Sequence, residues 1–419
     1  MIVVTDELRD ATGDHAWVGA MLDVEAALAE VEASLGIIPD AAAAAIRQAT
    51  KDRSRFDPAE IGRAARGGGN PVIPLVVALR EAAGDAGDWV HWGATSQDVL
   101  DTATMLVCAR SLPIITTSLD ELAQGCATLA GEHRGTLMVG RTLLQPAAPI
   151  TFGFKAAGWL QGVLDARRHL GTARGELAVQ LGGAVGTAAA LGANGPAVAR
   201  ALARRLELAE PAMAWHTARQ RVALLGGALA MAAGTAAKIA LDVALLMQFE
   251  VGEAAEPGAA ARGGSSTLPH KRNPSGAAAV ISAARQAHAL VAVLYGSLIA
   301  EHERAVGGWQ AEWEALSELL ALSGGGVART VEIVCELEVR PEAMAANLEA
   351  TCGATLSERV VAALAPSMGR DQAMTVVAEA AQRARLAGTA FAQEVAPLLP
   401  AGELGRLLDP AGYLGASDA

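Results

Sequence analysis

The chain has 419 residues, 52% of them hydrophobic, and a net charge of −12 at pH 7. That charge argues against nucleic acid as a partner, which would need a basic face or stripe that the sequence does not contain, while the length leaves room for two or three domains with an ample core. Aromatic residues make up only 3% and β-branched runs are scarce, so the interior must come from close-set helices of Ala, Gly and Leu.

In chain order, residues 15–36 place Trp17, Val18, Met21, Leu22, Leu28, Val31 and Leu35 at helical spacing, and Gly36 with Pro39 closes that segment. Short helices are expected near 40–50 and 57–65. Arg66 to Pro71 is a glycine-rich loop, and Pro74 reads as the first residue of a helix through Ala83. The run Trp89-Val90-His91-Trp92-Gly93-Ala94-Thr95-Ser96-Gln97-Asp98 precedes a further helix. Thr95 and Ser96 therefore stand where free N–H groups can hold a carboxylate, the alternative being that one of them simply caps the helix. That helix runs to about His133, with Pro113 expected to bend or interrupt it.

Gly140 to Pro149 leads into another long helix, and residues 181–196 form a charge-free Gly/Ala loop that packs on other subunits or lines a site entrance. Long helices are predicted from Thr217 to about Gln248 and from Ser275 to about Arg304. The second carries Ile281, Ala284, His288, Val291, Tyr295 and Leu298 on one face, where His288 reads as a core histidine. The uncharged run Val222–Ala237 is shorter than the roughly 20 residues of a membrane span. It reads as a helix at the centre of a bundle or an oligomer, with no membrane contact. His302 to Trp313 reads as a kinked helix with two aromatic anchors. Beyond about residue 340, Pro341, Gly353, Pro366, Gly369, Gly388 and Pro397 punctuate short helices. The expected domains are 1–105, 106–340 and 341–419.

Cys108, Cys126, Cys335 and Cys352 lie far apart without a C-x-x-C pair, which predicts free thiols in the cytoplasm and no zinc site. The N-terminus turns acidic too early for a secretory signal. No cofactor or phosphate-loop motif is present.

The densest chemistry is Arg262-Gly263-Gly264-Ser265-Ser266-Thr267-Leu268-Pro269-His270-Lys271-Arg272-Asn273-Pro274. A serine there can act as a base only if a cation and backbone N–H groups stabilise its alkoxide, and Lys271 with the helix start after Pro274 could supply both. The alternative is a polar connection that caps a helix. The stretch Gly264 to Pro274 resembles the signature loop of the fumarase/aspartase superfamily, G-S-S-x-x-P-x-K-x-N-P. Two more regions agree: His91 to Asp98 resembles H-x-G-x-T-S-x-D, and Thr142 with Gln145 resembles T-H-x-Q, with Leu143 in place of the histidine.

The resemblance implies an all-α, three-domain fold with a central bundle of long helices, assembled as a homotetramer with shared active sites. It implies Ser265, Lys271 and His91 as catalytic residues. Thr95, Ser96, Arg141, Thr142, Gln145, Ser266, Asn273, His270 and Arg304 would bind a small anionic tricarboxylate, with neither metal nor cofactor. Within the superfamily the chain is most similar to the 3-carboxy-cis,cis-muconate cycloisomerases, through Met21 to Leu28, Asn70 to Val76, Trp215-His216-Thr217, His302 to Arg304 and Leu408-Asp409-Pro410. The competing readings are an adenylosuccinate lyase, a lyase of another small dicarboxylate, and a non-catalytic structural relative. Adenylosuccinate lyases pair the T-H-x-Q histidine with a glutamate; Leu143 and Ala278 replace both. Pro146 and Gln220 also depart from the cycloisomerase pattern, at positions usually held by His and Asp.

Overall fold

The computed structural model describes residues 2–258, 263–264, 267–268, 270–400 and 402–417. Its helices are α1 Asp6–Thr12, α2 Asp14–Ser34, α3 Asp40–Lys51, α4 Pro58–Gly68, α5 Val72–Ala83, α6 Ser96–Glu132, α7 Phe152–Gly175, α8 Gly195–Leu206, α9 Gln220–Leu246, α10 Ser275–Gly296, α11 Gly308–Cys335, α12 Pro341–Glu349, α13 Ser357–Met368, α14 Arg370–Ala387, α15 Phe391–Val395 and α16 Glu403–Leu407. The sheet among the described residues is two short antiparallel pairs, β1 Leu137–Thr142 with β2 Gln145–Thr151 and β3 Ala254–Ala255 with β4 Glu338–Val339. The chain is predominantly helical, as its Ala/Leu-rich composition predicts.

Local chemistry sets the helix ends. At α4, Asp57 accepts from the Ala59 amide at 2.9 Å, Pro58 fills the first position, and Gly69 at φ +72° closes the last turn on the Ala65 carbonyl. Helix α5 starts at Val72, ahead of Pro74, because the Asn70 side chain accepts from the Val72 and Ile73 amides at 3.1 and 3.3 Å. Pro74 then lies in the first turn, where a missing N–H breaks no intrahelical bond. Pro113 does not end α6, which runs unbroken for 37 residues, about 55 Å. Its flanks Leu112 and Ile115 are buried, and that packing offsets the bond lost by the proline.

The chain forms two compact units, each assembled from three segments. The first comprises Met1–Asp120, Asp165–Ala237 and Ala279–Arg329. Here α2 packs on α3, and also on α8 around Leu28, Val31, Val179, Leu191, Val198 and Leu202. A side chain on Gly226 would meet Leu294 at 2.5 Å, so α9 and α10 approach closely through small residues. That contact selects the buried stripe of α10, which is Val280, Ala283, Ala284, Ala287, Val291 and Leu294. The predicted stripe is corrected accordingly: Ala284 and Val291 belong to it, whereas His288, Tyr295 and Leu298 are exposed. Helix α10 also ends at Gly296, well before Arg304. The chain reverses through His302 at φ 47° and Gly307 at φ 92°, so the expected kinked helix is a turn followed by a new helix, α11. Trp309 and Trp313 anchor it edge to face at 4.9 Å.

The second unit comprises Glu121–Leu164, Lys238–Ala278 and Thr330–Ala419. Helix α12 lies on the β1–β2 hairpin, and α13, α14 and α15 enclose Val360, Leu364, Ala373, Val377, Phe391 and Val395. Phe152 stacks edge to face with His133 and Trp159, whose Nε1 donates to Asp242 at 2.7 Å. By length and composition alone, α6, α9 and α10 are long and apolar enough to cross a membrane. The stretch concerned is mostly inside the protein for α6 but only half or less for α9 and α10.

Candidate active site

In the first unit the site is built on the start of α6. Asp98, in its first turn, reaches back to the Thr95 amide at 3.0 Å, one half of a capping box. The same buried carboxylate accepts from the Gly182 and Gly183 amides at 2.9 and 2.8 Å and from His216 Nε2 at 2.7 Å. The charge-free glycine loop thus packs on α6 because its amides satisfy Asp98. A side chain on Gly182 would strike Ala214 at 2.6 Å and the His216 ring at 3.0 Å, so only glycine admits that approach. With Asp98 committed to these donors, the amides of Ser96 and Gln97 have no partner among the described residues.

His91 sits beside this helix start at φ 64°, a left-handed conformation rare outside glycine. Its Nδ1 lies 2.6 Å from Glu25 Oε1 on α2. Burial of the ring lowers its pKa, but the Glu25 carboxylate outweighs this and the net shift is upward.

Arg304 is placed in the same unit, and its guanidinium is engaged: it donates to Gln97 Oε1 at 2.8 Å and to the Gly183 and Ala184 carbonyls at 3.4 and 2.9 Å. Below it lies a buried polar network. Asp101 accepts from both terminal nitrogens of Arg219 at 2.7 and 3.0 Å, from Gln97 at 3.1 Å and from Trp309 at 3.0 Å. Arg219 also pairs with Glu312, and burial, which would lower the guanidinium pKa, is outweighed by these two carboxylates.

The second unit holds the remaining predicted residues. Arg141 makes a bidentate pair with the buried Glu253 at 2.8 and 2.7 Å, and Asn347 donates to the same carboxylate at 2.8 Å. Thr142 and Gln145 are the last paired residues of β1 and β2. The two-residue turn between them is Leu143–Leu144, with both φ angles positive at 49° and 66°, as a type I′ hairpin turn requires. These leucines are 98% and 71% exposed. The sequence did not announce this hairpin, because Gly140, Pro146 and Pro149 read as loop.

Ser265 and Ser266 lie outside the described residues. Of the rest of the signature loop, His270 and Lys271 are exposed, the Lys271 amide donates to the Leu268 carbonyl at 3.0 Å, and the Asn273 amide to the Gly263 carbonyl at 2.8 Å. Arg272 pairs with Glu338 at 2.7 and 3.0 Å. One expectation is corrected: the start of α10 is not free to stabilise a serine alkoxide. The buried Glu256 carboxylate already accepts from the Gly276 and Ala277 amides at 3.0 and 2.6 Å, and the Ser275 amide is bonded to the Asn273 carbonyl.

Sequence reasoning therefore did not anticipate the hydrogen bonds of Glu25, Glu253 and Glu256, nor that of His216 to Asp98. Only Asp98 had a local signal, the T-x-x-D capping pattern; the others are set by contacts between residues far apart in the chain.

The sequence matches the lyase family over residues 2–288. It is 44% identical over 425 residues to a nitrosuccinate lyase of Streptomyces davaonensis, covering 97% of this chain and 90% of that one. To a 3-carboxy-cis,cis-muconate cycloisomerase of Bradyrhizobium diazoefficiens it is 43% identical over 424 residues, with coverage of 98% and 94%. The crystal structure of the 3-carboxy-cis,cis-muconate lactonizing enzyme from Pseudomonas putida superposes with a TM-score of 0.91 at 39% identity, covering 99% of this chain and 95% of that one. The chain belongs to the lyase family, in the fumarase/aspartase superfamily, where 3-carboxy-cis,cis-muconate cycloisomerases are among its near relatives.

Proposed function

We propose that the protein is a cycloisomerase that interconverts 3-carboxy-cis,cis-muconate and 4-carboxymuconolactone. The observation that carries this reading is the 43% identity to a cycloisomerase along nearly the whole chain. In ring closure one substrate carboxylate adds across the conjugated double bond. The carbanion so formed is delocalised into its neighbouring carboxylate and takes a proton from the Ser265 hydroxyl. In ring opening, Ser265 removes that proton and the C–O bond breaks. Lys271 and Asn273 would hold the carboxylate beside the transferred proton. His91 and the amides of Ser96 and Gln97, which have no partner among the described residues, would hold another.

Leu143 suits this chemistry. A carboxylate leaves as a stable anion and needs no general acid, so the histidine of T-H-x-Q and its glutamate partner can both be absent. The same logic favours one second reading, elimination of nitrite from nitrosuccinate, supported by the 44% identity to a nitrosuccinate lyase. Nitrite is also a weakly basic leaving group. Amine release from adenylosuccinate is disfavoured on the same ground.

The homotetramer with shared sites belongs to this proposal. Two apolar leucines held at positive φ on an exposed hairpin tip are costly in an isolated chain, and a partner subunit that buried them would repay both strain and exposure. Leu224, Met231 and Leu241 of α9 and Val293 and Tyr295 of α10 are exposed as well, which supports subunit contact in place of lipid. A monomer at micromolar concentration in sedimentation would sink this part. We also place the enzyme in the cytoplasm, a reading supported by four unpaired cysteines.

The test is loss of conjugated-diene absorbance with 3-carboxy-cis,cis-muconate, run beside nitrite release from nitrosuccinate. A kcat/KM of at least ~10⁴ M⁻¹s⁻¹ on the first acid is expected. Nitrite release more efficient than diene loss would move the assignment to the second reading, and inertness toward both would leave a structural relative.

A further inference from the structure

We propose that Glu25 is the positioning residue for His91: from α2 it holds the ring by Nδ1 and leaves Nε2–H as the ring's outward donor, toward a substrate carboxylate at the start of α6. This rests on the reading of that helix start as a carboxylate site. Glu25 is 1% exposed and its described hydrogen bond is to His91 at 2.6 Å. The His91 side chain keeps 15% exposure, so one edge of the ring is held inside while the other reaches the surface of the turn. The backbone is held at φ 64° to present it, and Gly93 at φ 68° then turns the chain into α6.

The tautomer follows from the geometry. A carboxylate accepts at Nδ1, so Nδ1 carries a proton in both charge states, and Nε2 can donate to a second carboxylate only when the ring is an imidazolium. A neutral ring would turn a lone pair toward the substrate anion. Three charged groups face the ring: Glu25 from α2, Asp98 from α6 and Arg80 from α5. The two carboxylates favour the cation and Arg80 opposes it. Asp98 is already shared among the Thr95, Gly182 and Gly183 amides and His216, which leaves Glu25 as the carboxylate bonded to the ring.

Glu25→Gln tests this, because the amide oxygen still accepts from Nδ1 and the shape is kept while the charge is removed. One pKa unit is a tenfold change in the cation population above the pKa. We expect KM for the tricarboxylate to rise by a larger factor at pH 8 than at pH 6, approaching ~10-fold for each pKa unit lost where the ring is neutral, with kcat much less affected. Glu25→Asp should restore part of the pH 8 loss. In parallel, NMR of protein labelled at histidine, with His91 identified by the signal missing in His91→Gln, should show the His91 titration moving to lower pH in Glu25→Gln. An unmoved titration, or a KM ratio equal at the two pH values, would overturn the proposal. If the wild-type protein is inert toward every acid tried, the functional reading fails, whereas the titration still decides whether Glu25 sets the charge of His91.

Discussion

The starts of α6 and α10 are chemically alike and differently used. Each follows a polar loop that resembles a superfamily signature, and each exposes amides that favour an anion. At α10 the anion is built in: Glu256, buried and some twenty residues upstream, accepts from Gly276 and Ala277. At α6 the nearby carboxylate is turned aside, because Asp98 takes the Thr95 amide and spends its other lone pairs on Gly182, Gly183 and His216. The first end is closed by the protein itself, whereas at the second the Ser96 and Gln97 amides, close to His91, have no partner among the described residues. The anion a helix start will take is therefore decided by where the nearest carboxylate finds its donors, and composition around the helix does not reveal it.

The largest effect is expected from removing chemistry on the α10 side. Ser265→Ala should lower kcat at least ~100-fold, within the 10² to 10⁴ typical of a positioned general acid–base, while substrate still binds at the α6 side and KM changes little. Ser266→Ala should be milder. If Ser265→Ala kept its kcat and Ser266→Ala lost it, the base would be the second serine; if neither lost it, the proton would move elsewhere.

A third carboxylate extends the contrast, since it has no donor among the described residues. Glu32 lies buried on α2, and neither of its oxygens has a partner among the described residues. Burial, aided by the charge of Glu25, pushes its pKa up to about 8 from 4.5. The unfolded chain ionises near 4.5 and the folded one near 8, so the folded state is favoured below 4.5 and loses that advantage as pH rises toward 8. Glu32→Gln should match wild type in thermal stability near pH 4.5 and exceed it at pH 8 by roughly 4 kcal/mol. A stability difference independent of pH would show that Glu32 has a partner in solution.

How far this contrast was legible in the sequence depends on the range of the contacts involved. Helices α2, α3 and α4 and the start of α9 are written in local periodicity and caps, and the T-S-x-D run marks the start of α6. The hairpin escaped because its glycine and prolines mimic a loop, and strand pairing is a non-local property. The buried stripe of α10 was misplaced because it is selected by the facing helix, where Gly226 of α9 admits Leu294, and a contact between residues 68 positions apart leaves no mark on the local periodicity of α10. The pairs Glu25–His91, Asp98–His216 and Arg141–Glu253 join positions 66, 118 and 112 residues apart, and no local pattern announces them.

Removing the built-in anion is the next test. Glu256→Ala should leave two buried amides at the start of α10 without a partner and cost ~1 to 3 kcal/mol of stability. Added carboxylate, such as acetate, should then raise the melting temperature of the variant more than that of the wild type. Equal responses would mean that water fills the gap and that the two helix starts differ less than their hydrogen bonds suggest.

The smallest effect is expected from adding charge where the α10 start already has its anion. Leu143→His with Ala278→Glu restores the histidine–glutamate pair of the adenylosuccinate lyase pattern; both positions are exposed in the single chain, but the proposed tetramer buries Leu143, so the change should cost on the order of 1 kcal/mol of stability. The new glutamate joins the first turn of a helix whose amides are engaged by Glu256 and Asn273, so it gains little from the helix dipole. Cycloisomerisation should change by less than ~3-fold, because a departing carboxylate has no use for a proton donor. The informative comparison is adenylosuccinate, whose amine does need one. Cleavage by the double variant from an inert wild type would show that the site accepts that substrate and lacks only the acid, and the leaving group would then cease to explain why Leu143 and Ala278 stand where they do.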